Sequence, residues 1–207
     1  MQILVVAATS EEIKPSLPFL EEKHIKYLIT GVGMVATAYA LTKYLQQHKV
    51  DLLLQVGIGG ILDRSARLGE VYRIYTDEIF GLGADDNGSF ISIEELGFGK
   101  RIYTEKPPAH IRLPEINKAQ GITVNNVHGA TDKIMQLQQQ YQKPLIESME
   151  GASAFFIAGQ EGINCLQFRA VSNYIEPRNR DAWEIGLAVK NLNVFLQQFL
   201  RFLNLDR

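Results

Sequence analysis

Short apolar runs alternate along this chain with segments of helical period, and that alternation restricts the folds open to it more than any other feature. Gln2 to Ala8, Val50 to Val56, Val71 to Phe80, Leu145 to Met149 and Asn164 to Ser172 read as strands, with a shorter one at Gly121 to Val127. Met34 to His48, Asp132 to Tyr141 and Gly151 to Glu161 read as helices, and Ser10 to about Lys23 as an imperfect one broken near Pro15 and Pro18. The last helix puts Ile185, Ala188, Val189, Leu192, Phe195, Phe199 and Leu203 on one face. Strands apolar along their whole length need cover on both sides. The order therefore predicts an α/β fold: one domain over residues 1–207, with a mostly parallel, mixed sheet flanked by helices in three layers. Gly81 to Pro114, rich in glycine, proline and charge, breaks the pattern and predicts an insertion or lid.

The charge balance narrows the partners. A net charge of −2 over 207 residues lacks the basic excess that neutralises phosphates, so no nucleic-acid partner is expected. Trp183 to Leu203, the longest apolar segment, carries Lys190, Arg201 and several amides, which suits an amphipathic helix and not a membrane span. One cysteine, Cys165, excludes an internal disulfide; with no cationic leader at Met1 to Ala8, a cytoplasmic protein is expected. His24, His48, His110 and His128 show neither metal-ligand spacing nor an acidic arrangement, so no metal and no cofactor are expected.

Two polar residues close neighbouring strand-like runs: Glu150 in I-E-S-M-E-G-A-S-A-F-F and Asn173 in R-A-V-S-N-Y-I-E-P-R-N-R. In open α/β sheets ligands bind at the carboxyl ends of strands, so a carboxylate and an amide would face one crevice. Gly57, Gly59 and Gly60 follow another strand in G-I-G-G-I-L-D-R-S-A-R. They lack the third glycine of a dinucleotide fingerprint, and a plain tight turn explains them equally.

Together G-I-G-G-I-L-D-R-S-A-R-L-G-E-V, S-M-E-G-A and R-A-V-S-N resemble the purine nucleoside phosphorylases and nucleosidases over nearly the whole chain. The longer forms of the last two motifs most resemble the menaquinone-pathway branch, the futalosine hydrolases. The resemblance implies a nucleoside phosphorylase-like fold, a small nucleoside as substrate, cleavage of an N-glycosidic bond without a cofactor, and a homodimer.

It also implies roles. Glu150 would accept the ribose 2′- and 3′-hydroxyls, although a first-turn acid on the following helix accounts for it too. Met149 would touch the sugar, or simply pack in the core. Gly57 and Gly59 would let backbone approach the nucleoside. Glu12 stands where hydrolytic members carry the acid that activates water; Thr9 and Glu12 also have the spacing of a capping box. Ala7, Ala8 and Thr9 replace the phosphate-binding turn of the phosphorylases, which favours hydrolysis. Asn173 departs from the aspartate of methylthioadenosine nucleosidases and suits a 6-oxopurine leaving group, unless it only serves a post-strand turn. Arg178, with Arg180, would meet the carboxylate of futalosine or stay solvated.

Overall fold

The computed structural model describes residues 1–111, 113–141 and 144–203. In chain order its elements are β1 (Ile3–Ala7), α1 (Ser10–Ile13), α2 (Leu17–Glu22), β2 (Lys26–Ile29), α3 (Met34–Leu45), β3 (Leu52–Ile61), β4 (Val71–Ile79), β5 (Gly83–Asp86), β6 (Ser89–Ser92), β7 (Ile102–Thr104), β8 (Lys118–Thr123), α4 (Thr131–Gln140), β9 (Leu145–Ser148), α5 (Gly151–Gln160), β10 (Asn164–Tyr174) and α6 (Ile185–Phe202). β1 pairs in parallel with β2 and β3, β3 with β10, β4 with β8, and β8 with β9; β9 on β3, β10 on β4 and β7 on β4 are antiparallel. Among the described residues these pairings join eight strands into one mixed sheet, in which β3, β10, β4, β8 and β9 close into a ring and β1, β2 and β7 extend from it.

Period-two alternation explains the layers. Ile3, Val5 and Ala7 of β1 join Leu52, Leu54 and Val56 of β3 beneath Leu192, Leu196 and Phe199 of α6. Leu4, Val6 and Leu53 face the other way, toward Leu41 of α3 and Phe155 and Ala158 of α5. Cys165 is buried in this second layer and burial pushes its thiol pKa up, which suits packing and not reactivity.

The expected α6 face is shifted. Ile185 is 40% exposed, and the buried stripe runs through Ala188, Leu192, Asn193, Leu196, Phe199 and Leu200. Asn193 is tolerated there because its Nδ2 donates to the Glu12 carbonyl at 2.8 Å and the Val189 carbonyl at 2.7 Å. Pro15 breaks the first helical segment into a 3-10 turn, whereas Pro18 falls in the first turn of α2, where a missing N–H costs nothing.

Within 81–114, β5 and β6 form a hairpin turned at Asn87 and Gly88, both with positive φ, and β7 adds an edge strand to β4. The strand β2 is only four residues long and largely exposed, and it escaped the sequence pattern. The glycine loop expected after Val56 does not exist: β3 continues through Gly57, Gly59 and Gly60 to Ile61. None of the three has a positive φ; their missing side chains make room, as the site requires.

Candidate active site

The end of β1, the glycines of β3, the end of β9 and the end of β10 converge on a cavity of about 600 Å³, a size suited to a small-molecule ligand. Glu12, Gly59, Met149, Glu150, Asn173 and Arg178 all line it. Gly57 lies behind the wall, where a Cβ would stand 2.4 Å from Arg169 Nη1 and 2.8 Å from Glu12 Oε1. Arg180 begins a separate 3-10 turn and does not reach the cavity lining.

Glu12 is held at both carboxylate oxygens. Oε2 accepts the Thr9 N–H at 3.0 Å and the Thr9 hydroxyl at 3.2 Å, the reciprocal half of a capping box; Oε1 accepts the Ile58 N–H at 3.1 Å. Cap and cavity position coexist because Oε1, with the Ile58 N–H as its one donor, keeps a lone pair while Oε2 serves the cap.

Glu150 is the N-cap residue of α5, but its side chain makes no capping bond to that helix. Oε1 accepts the Gly33 N–H at 3.0 Å, and Oε2 pairs with Arg169 Nη1 at 3.4 Å. Gly33 sits at φ +96°, a conformation only glycine adopts freely, and this turns its N–H toward the carboxylate. Arg169 is 1% exposed and was not singled out in the sequence, although it opens R-A-V-S-N. Its Nε donates to Gln167 Oε1 at 2.9 Å; Gln167 Nε2 donates to Asp77 Oδ2 at 2.8 Å, and Thr123 Oγ1 to Asp77 Oδ1 at 2.8 Å. Burial lifts the Asp77 pKa to about 6, against the Gln167 and Thr123 hydrogen bonds and the Arg169 charge, which pull it back. A buried chain from Asp77 to Arg169 thus fixes Glu150 from below.

Asn173 lies inside β10 and not in a turn after it. A register shift between Val171 and Asn173 marks a bulge, a device that re-aims a side chain. Its Oδ1 accepts the Ser172 hydroxyl at 2.8 Å and its Nδ2 donates to the Tyr174 carbonyl at 2.9 Å. One N–H and one lone pair remain for a ligand. Gly60 makes this possible, since a Cβ there would come 3.0 Å from Asn173 Nδ2. Arg178 is exposed, with its guanidinium 5.9 Å from the Trp183 ring.

Contrary to the expectation from spacing, His128 does have an acidic partner. Its Nδ1 contacts Glu147 Oε2 and its backbone N–H donates to Glu147 Oε1 at 3.1 Å, and both residues line the cavity. Nineteen positions separate them, so sequence spacing carried no sign of the pair. Among the described residues no three His, Cys, Asp or Glu side chains form a metal-binding group, and no helix is long and apolar enough to cross a membrane.

A family model described as the phosphorylase superfamily matches residues 17–204. A futalosine hydrolase of Streptomyces coelicolor is 34% identical over 80% of this chain and 74% of its own length. A second, from Thermus thermophilus, is 26% identical over 80% of this chain and 76% of its own. The fold is shared with the 5′-methylthioadenosine/S-adenosylhomocysteine nucleosidase of Streptococcus pneumoniae, with a TM-score of 0.78 at 17% identity over 97% of this chain and 99% of that one. The corresponding Helicobacter pylori nucleosidase gives 0.77 at 16% identity, over 97% and 98%.

Proposed function

This chain belongs to the phosphorylase superfamily as a nucleosidase related to both futalosine hydrolases and methylthioadenosine/S-adenosylhomocysteine nucleosidases, and we propose that the bond it hydrolyses is the N-glycosidic bond of futalosine. The observation that carries this reading is the 34% identity to a futalosine hydrolase across 74% of that protein. Asn173, a neutral amide with a free N–H in the cavity, supports it.

In this reading Glu150 accepts the ribose hydroxyls and its charge favours the oxocarbenium character that develops at the anomeric carbon. Met149 packs against the sugar. Glu12 takes a proton from water, the new water–carbon bond forms at C1′, and the C1′–N9 electron pair leaves with the base. Asn173 donates its free N–H to that departing charge at N7 or the 6-oxygen; solvent water then protonates the hypoxanthine anion and takes back the proton from Glu12, leaving hypoxanthine, dehypoxanthine futalosine and the restored carboxylate. Gly57 and Gly59 act by absence: without their side chains Arg169, Glu12 and the β9 backbone approach closely. Arg178, at the cavity mouth beside Trp183, offers a cation to the substrate carboxylate.

The test is incubation with futalosine, inosine and methylthioadenosine, with and without phosphate. Hypoxanthine should appear from futalosine in phosphate-free buffer, with no sugar 1-phosphate formed when phosphate is present. A strict phosphate requirement would sink hydrolysis. Preferential cleavage of methylthioadenosine would establish the second reading, which the shared fold of the nucleosidases favours.

Asn173→Asp gives a sharper readout. An aspartate loses the bond to the Tyr174 carbonyl and sets an oxygen against it, an arrangement that raises a carboxyl pKa. Turnover of futalosine should fall at neutral pH because an ionised group repels the leaving anion. The ratio of 6-amino to 6-oxo turnover should rise, most at low pH, where the protonated acid donates to N7 and accepts from N6. A ratio unchanged across pH would mean that Asn173 does not touch the base.

The homodimer belongs to the same proposal. Val35 and Tyr39 on α3 are 83% and 69% exposed, and Val32, 56% exposed, continues that apolar surface into the cavity wall. Light scattering should give twice the chain mass at micromolar concentration; a fully active monomer would contradict it.

A further inference from the structure

We infer that His128, its tautomer set by Glu147, reads the N1–H of a 6-oxopurine and turns away 6-aminopurines. The inference rests on the nucleosidase reading of the cavity but not on which sugar substituent the substrate carries.

The sheet register puts the two sides of a base-sized slot in line. Gly60 of β3 pairs with Asn173 of β10 on one side and with Glu147 of β9 on the other. Paired residues point to the same face, so Asn173 and Glu147 flank a glycine, two inter-strand spacings apart, or about 9–10 Å. Gly60 lines the cavity between them, and its missing side chain leaves room for the Asn173 amide and for Ile175, which a Cβ would meet at 3.0 and 3.3 Å. His128 stands over the Glu147 side and lines the same cavity as Asn173.

The carboxylate of Glu147, 5% exposed, is turned to His128. It takes the backbone N–H of that residue at 3.1 Å and contacts ring Nδ1. Burying a carboxylate is costly, and here it orients one imidazole. The Phe80 ring meets the imidazole edge-on at 5.0 Å between centroids, which fixes its remaining freedom. A carboxylate on Nδ1 keeps a proton on that nitrogen, so Nε2 is the ring nitrogen left to accept. Hypoxanthine carries a hydrogen on N1 and satisfies that acceptor. Adenine has a lone pair on N1, and two acceptors would face each other. The His128 main-chain N–H is committed to Glu147 and offers adenine N1 no donor. Asn173 takes the other edge of the ring, so the two side chains divide the purine between them.

Titration calorimetry of the full-length chain with free hypoxanthine and free adenine reads this directly. The wild type should bind hypoxanthine about 10-fold or more tightly than adenine, the scale of one well-formed hydrogen bond in a desolvated site. His128→Phe removes the acceptor while keeping a ring beside Phe80. Glu147→Gln offers an amide that can donate to Nδ1 and so allow the proton on Nε2. Each should reduce the hypoxanthine preference about 10-fold, with thermal melting used to confirm folding. A wild type that prefers adenine overturns the inference whether or not the variants fold, as does an unchanged preference in either folded variant. Because no turnover is measured, a protein that prefers hypoxanthine yet leaves futalosine intact would sink the substrate proposal alone.

Discussion

Glu12→Gln should lower kcat by about 100- to 10,000-fold while leaving the affinity for substrate within a few-fold, the pattern of a group that acts in the transition state. The prediction separates two roles that the structure superimposes. In the cap, Glu12 only needs an acceptor for the Thr9 N–H, and glutamine still supplies one. The loss there is the second acceptor, which takes the Ile58 N–H at 3.1 Å, and leaving that donor unmet costs about 1–3 kcal/mol of stability. Glutamine cannot take a proton from water at neutral pH. A variant that melts lower but turns over within a few-fold of wild type would make Glu12 a structural residue alone. Measuring kcat and melting temperature on the same preparation gives the answer.

What could be read from the sequence depended on whether an interaction was local or periodic. β1 is buried at every position, and such a run has no alternative to a central strand. The strand-end rule directed attention to Glu150 and Asn173, because strand ends in an α/β sheet share one rim, whereas Glu12, Gly57 and Gly59 drew their expected roles from the family resemblance. The geometry behind them was not legible. Glycine after a strand usually signals a turn, yet here it extends β3, because its value lies in what it leaves out beside Arg169, Glu147 and Asn173. Arg169 looks like a surface arginine until Gln167 and Asp77, 90 positions apart, are seen to hydrogen-bond beneath it. His128 and Glu147 meet only because the segment after β8 returns over β9. Edge strands such as β2 and β7 bury too little to carry a period.

Gly57→Ala should cost about as much activity as losing a positioning residue outright, although it adds only one methyl group and touches no substrate. The φ of Gly57 is not in the left-handed region, so the backbone accepts alanine and the effect is one of space alone. The new Cβ would stand 2.4 Å from Arg169 Nη1, 3.3 Å from its Cζ and 2.8 Å from Glu12 Oε1. The guanidinium has nowhere to retreat. Its Nε is held by Gln167 at 2.9 Å, Gln167 is held by Asp77 at 2.8 Å, and Gly151 closes the space beyond, where a Cβ would come 2.0 Å from Asp77 Oδ2. Arg169 must therefore draw away from Glu150, now 3.4 Å distant, or Glu12 must leave its oxygen's place beside Ile58. Displacing a reacting group by about 1 Å costs about 100-fold in rate, and overpacking a buried site costs about 1–3 kcal/mol of stability. Gly159→Ala is the control: nothing lies within 4 Å of its Cβ position, it sits within α5, and it should raise stability by about 0.4–1 kcal/mol without moving kcat. If Gly57→Ala kept full turnover, the Asp77–Gln167–Arg169 chain would be shown to yield, and the rigidity assigned to it would have to come from elsewhere in the site.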